Sequence, residues 1–154
     1  MEHSHRTIDV LNAFLRGEMA AVEVYRYTLE RLGRSRARST LEDCMQSHAR
    51  RVQLLRRKII AMGGVPARTA GTWGMFAKSL AVWGDMLGPT SALSILELGE
   101  SHGQLMYQRK REELAPAVKG FVESQLVPAQ QLTREWAGSL KRSAAIAYAD
   151  AFDR

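Results

Sequence analysis

Among 154 residues there is one cysteine, Cys44, so no disulfide can form within the chain. Proline is scarce at four residues, and three of them (Pro66, Pro89 and Pro116) fall between apolar periodic segments, where a helix can end without loss. No stretch alternates apolar and polar residues with period two, so no strand is expected. Long hydrophobic runs are also missing. The longest apolar stretch, Trp73 to Leu98, is broken by Lys78, Asp85 and Pro89, which excludes a transmembrane helix on length grounds. The opening Met-Glu-His-Ser-His-Arg lacks the apolar core of a signal peptide, so a cytoplasmic location is the expectation.

What remains is helical punctuation and helical spacing. The spacing predicts one all-helical domain over residues 1–154, a length that can bury most of its unfolded surface without a staple. Residues 1–6 read as a frayed end, with Thr7 capping a helix that runs to Leu32 and stops at Gly33. Ser39 and Glu42 have the spacing of a capping box, which opens a second helix ending at Met62 before Gly63-Gly64. A glycine-rich crossover follows. It leads into a short amphipathic helix with Trp73, Phe76, Leu80, Trp83 and Leu87 on one face, stopped by Gly88-Pro89. Thr90 caps a third long helix to Leu114, and a fourth runs from Pro116 to about Leu140, kinked by Pro128. The tail 143–154 reads as a last short helix with a disordered end.

The functional signal is a carboxylate in an apolar stripe. With 100° per residue, Leu11, Phe14, Leu15, Val22, Tyr25, Leu29 and Leu32 lie within about 60° of Glu18. A buried carboxylate costs several kcal/mol unless it is answered. The same motif recurs: 100 − 18, 107 − 25 and 114 − 32 all give 82, so Gly17-Glu18, Tyr25 and Leu32 repeat as Gly99-Glu100, Tyr107 and Leu114. On the second helix, Leu41, Cys44, Met45, Val52, Leu55, Ile59 and Met62 surround His48 in the same manner. Glu18, Glu100 and His48 are therefore expected to meet, the two glutamates facing each other.

Gly17-Glu18 with Tyr25, His48 in mid-helix, Gly63-Gly64-Val65-Pro66 and Gly99-Glu100 with Tyr107 resemble the ferritin-like superfamily, in particular small bacterial proteins related to rubrerythrin, from Leu11 to Leu140. The resemblance implies a ferritin-like four-helix bundle whose long crossover carries the short amphipathic helix, and a role in stress response. It also implies a di-metal site built from one Glu on each of two helices and Glu-x-x-His on the other two. Glu18 and Glu100 match the single glutamates and His48 the first histidine. Met45 stands where a Glu is needed, and the 82-residue offset puts Val127 and Gln130 at the other Glu and His. The implied metal ligands are thus Glu18, His48 and Glu100, with Glu97, Glu123 or Gln130 as substitutes, and Tyr25 and Tyr107 as donors behind them. The same three residues read more readily as a hydrogen-bonded buried cluster, so the cofactor expected is none, or weakly held iron or manganese.

Three functions follow from these readings: a ferritin-like scaffold or interaction protein with a degenerate metal site and no strong oxidase activity, a di-iron or di-manganese oxidase or peroxidase, and a basic bundle that coats nucleic acid. The net charge of +6 allows the third. Interleaved glutamates and the lack of aromatics beside Arg50, Arg51, Arg56 and Arg57 favour a solvated surface instead. The apolar face of the Trp73–Leu87 segment is assigned to packing over the bundle or to a homodimer contact. Cys44 reads as a small buried hydrophobe.

Overall fold

A computed structural model describes residues 2–32, 35–72, 74 and 89–152. Every regular element among them is helical: α1 (Glu2–Arg31), α2 (Arg38–Ala61), α3 (Pro89–Lys110) with a 3₁₀ turn at Arg111–Glu113, α4 (Pro116–Phe121), a π-helical turn at Val122–Leu126, and α5 (Val127–Phe152). α4, the π turn and α5 form one continuous rod. α1 lies along α2 and α3 lies along α5, and the two pairs join through α1 against α3 and α2 against α5.

Apolar residues at helical spacing build two large core clusters, with a small third where Ala20 meets Ala70. One centres on Leu11, Phe14, Leu15, Leu55, Ile59, Val118, Val122 and Leu126, the other on Tyr25, Leu29, Leu41, Cys44, Leu93 and Leu96. One buried polar side chain sets the chain's path. Asn12 donates from Nδ2 to the Val65 carbonyl at 3.0 Å and accepts the Ala67 N–H at 2.7 Å, which ties the crossover to α1. Gly64 is needed beneath it, because a Cβ there would meet Ile8 Cγ2 at 2.9 Å, and Gly63 turns the chain with φ of 76°.

Several boundaries differ from expectation, each for a local reason. α1 begins at Glu2, because Thr7 is fully buried and accepts the Ala115 N–H at 3.1 Å instead of capping, while Arg6 pairs with Glu113 at 3.2 Å. The capping box at Ser39 and Glu42 does not form. Arg38 holds Glu42 at 2.9 Å and donates to the Leu29 carbonyl at 3.0 Å, closing the end of α1 instead. α3 starts at Pro89, just before the expected cap at Thr90, and the tail continues α5 to Phe152. The expected stop at Gly33, the last two residues of the tail and all of the Trp73–Leu87 helix except Gly74 lie outside the described residues.

Pro128 produces a π turn. The Val127 N–H reaches back to the Val122 carbonyl, a wider i−5 bond, immediately before the residue that has no N–H to give. The extra residue changes the register of everything after it. At 100° per residue Gln130 would sit about 120° beyond Val118, yet both are buried. The wide turn absorbs the difference and delivers Gln130 and Thr133 to the interior.

Candidate functional site

Between the two apolar clusters lies a buried polar layer. Glu18 on α1 and Glu100 on α3 are 4% and 3% exposed, and His48 on α2 stands between them. The His48 Nδ1 is 2.6 Å from Glu18 Oε2 and its Nε2 is 2.8 Å from Glu100 Oε1, so the two glutamates face each other across one imidazole. The tyrosines of the repeat are exchanged. Tyr25 of α1 donates to Glu100 Oε1 at 2.6 Å, and Tyr107 of α3 donates to Glu18 Oε1 at 2.6 Å.

α5 supplies the remaining donors. Gln130 Nε2 donates to Glu100 Oε2 at 2.8 Å and to the Glu100 backbone carbonyl at 2.9 Å, and the Thr133 hydroxyl donates to Glu100 Oε2 at 2.8 Å. Each Glu100 oxygen thus receives two hydrogen bonds, as a buried carboxylate requires. Gln130 belongs to this cluster and is 2% exposed, although straight helical periodicity puts it at the edge of its stripe.

The residue that sequence reasoning missed is Arg51. Grouped by composition with surface arginines, it is 1% exposed and lies one turn after His48 on α2. Its Nε is 3.3 Å from Glu18 Oε2, Nη1 donates to Gln130 Oε1, and Nη2 is 3.3 Å from the Thr133 hydroxyl and 2.9 Å from His48 Nδ1. A signal for it was present: 130 − 48 and 133 − 51 also give 82, so His48 and Arg51 are the repeat partners of Gln130 and Thr133. The repeat therefore runs through all four long rods among the described residues.

The electrostatics close within the cluster. Burial works to raise both carboxyls, but the Arg51 and His48 charges overcome it at Glu18, and His48 with the Tyr25 and Thr133 hydroxyls overcomes it at Glu100, so both sit below the ordinary carboxylate value. Burial and Arg51 work to lower His48, and the two glutamates outweigh them, so its value is raised. With His48 protonated, two carboxylates, one imidazolium and one guanidinium sum to zero, and Arg51 Nη2 then faces the Nδ1–H at 2.9 Å without bonding to it. Burial and the adjacent carboxylates push Tyr25 and Tyr107 well above the usual tyrosine value, which keeps both hydroxyls as donors. Burial likewise lifts the Cys44 thiol to about 12, so it stays protonated and is no nucleophile.

This geometry does not fit the metal set that the resemblance implies. A ligating imidazole needs one bare nitrogen, and both His48 nitrogens are already engaged, Nδ1 by Glu18 and Arg51 and Nε2 by Glu100. Arg51 brings a fixed positive charge to the place where a cation would have to sit. Glu97 and Glu123 are not brought to the cluster: Glu97 pairs with Lys141 at 2.5 Å, and Glu123 lies 3.9 Å from Arg111 at the surface. Met45 and Val127 pack against the two apolar clusters. Among the described residues, no three His, Cys, Asp or Glu side chains are grouped to hold an ion.

Elsewhere many cations meet carboxylates of the same surface, including Lys119 with Glu112 at 2.8 Å and Arg31 with Glu30 at 3.9 Å. No described helix is long and apolar enough to cross a membrane. No family model, curated protein or solved structure matches the chain.

Proposed function

We propose that the chain is a ferritin-like four-helix scaffold in which two protein cations, Arg51 and the His48 imidazolium, occupy the role that metal ions play in the di-metal members of that superfamily. The ferritin-like assignment and a role as a stress-associated or interaction protein rest on the residue resemblance, and the cytoplasmic location on an N-terminus without the apolar core of a signal peptide. The loss of oxidase chemistry rests on one observation: a guanidinium buried against Glu18, Gln130 and Thr133 beside an imidazole with no free nitrogen. Oxygen activation by two metals needs open coordination positions and anionic ligands left unneutralised. Here the anionic charge is already met.

Metal content per chain, measured on untagged protein purified without chelator, tests the reading, followed by ferrous iron addition in air. Iron and manganese far below one ion per chain, with no oxo-bridged ferric absorption, are expected. Near-stoichiometric metal that Glu100→Ala abolishes would overturn the proposal in favour of a di-metal oxidase.

A further inference from the structure

A cavity of about 280 Å³ opens between α1 and α3, directly over the polar layer. Gly17 and Ala21 line it from α1, Leu96, Gly99 and Met106 from α3, and the Glu18 and Glu100 side chains lie at its floor. The glycine that precedes each repeated glutamate shapes the space: among the described residues, a Cβ at Gly17 or Gly99 would meet nothing within 4 Å. The repeat thus places two absent side chains on opposite walls of one cavity.

We infer that this cavity is a binding site for an uncharged, largely apolar small molecule with about the bulk of two aromatic rings. The size follows from volume, because an apolar cavity of about 150 Å³ takes up one benzene. The lack of charge follows from the floor. Tyr107 donates to Glu18 Oε1, His48 and Arg51 flank Glu18 Oε2, and both Glu100 oxygens are doubly served, so the carboxylates have no charge left to offer a ligand. An ionised ligand would bring a charge without a partner into an apolar cleft, at high cost. The site stands on the cavity alone and is independent of the ferritin-like reading.

A matched pair of probes tests it. 1-Naphthylamine and 5-aminonaphthalene-1-sulfonate share one two-ring skeleton, and only the second is charged at neutral pH. Fluorescence titration of the full chain is expected to give one site for the neutral probe, with affinity at least about tenfold above that of the sulfonate. Gly17→Leu and Gly99→Leu, which fill the cavity from opposite walls, should each abolish that site while thermal unfolding shows a folded protein. If one variant does not fold, the other carries the test. Equal affinity for the two probes, binding that survives in a folded filled variant, or no binding at all would each overturn the proposal.

Discussion

Arg51 decides how the polar layer is held. Two glutamates and a histidine alone would carry an excess negative charge into the interior, and such a charge is tolerated only with a fixed partner. Arg51→Met should therefore destabilise the protein by about 3–5 kcal/mol in denaturant unfolding, far more than a surface arginine, where the effect stays within about 0.5 kcal/mol. The pH dependence carries a sign from each group. Glu18 and Glu100 titrate below their ordinary 4.5, so the unfolded chain binds protons first and stability falls as pH drops below that value. His48 titrates above its ordinary 6.5, so the folded chain keeps a proton that the unfolded chain releases, and stability falls as pH rises beyond 6.5. The melting temperature should be highest between these limits, and His48→Gln should remove the alkaline decline; a flat profile above 6.5 in the wild type would contradict the charge assignment. At this scale Glu18, His48 and Glu100 were legible because each polar residue interrupts an apolar stripe. Arg51 was not, since arginines also crowd the exposed face of the same helix and burial cannot be read from residue type.

The element that carries most consequence is the π turn. Helical spacing predicts the rod from Pro116 onward, and Pro128 announces a disturbance, but a kink and a π turn differ in register and therefore in which residues reach the core. A strict 100° spacing selects Ala129 for the stripe, whereas the structure buries Gln130. The sequence carries no local marker for the wider turn beyond the proline itself. Deleting the exposed Ser124 together with Pro128→Ala should return the rod to regular α-helix while leaving Gln130 and Thr133 on Glu100. The expected result is a folded protein with a melting temperature at or above that of the wild type. A collapse in stability would mean that the π turn does more than correct register. Helix ends were less legible than helix centres: at Ser39 the local cap competes with Arg38, whose partners on α1 are visible only once the helices pack.

Across the whole molecule the 82-residue repeat is the organising fact. It relates Glu18 to Glu100, Tyr25 to Tyr107, His48 to Gln130 and Arg51 to Thr133, and the hydroxyls cross from each half to the other half's carboxylate. The exchange is reciprocal in geometry but unequal in support. Glu100 Oε1 also receives His48, whereas Tyr107 is the hydroxyl donor to Glu18 Oε1. Tyr25→Phe should consequently cost about 1 kcal/mol and Tyr107→Phe about 2–3 kcal/mol, compared by denaturant unfolding; the reverse order would show that the network is apportioned differently. The repeat also explains why four helices and their pairing were readable: two halves with matching stripes must bury them against each other. The Gly17 and Gly99 positions were readable as part of that repeat, but the cavity they leave depends on the separation of α1 and α3, which no local spacing encodes.

The central claim is that protein cations neutralise the buried glutamates, and the most direct measurement is the ¹⁵N NMR signature of His48 near neutral pH. The account predicts an imidazolium with both ring nitrogens protonated, its Nδ1 and Nε2 protons strongly shifted by hydrogen bonds to Glu18 and Glu100 and retained above pH 6.5. A neutral ring whose bare Nδ1 accepts from Arg51 Nη2 would contradict it, because the cluster would then carry a net negative charge.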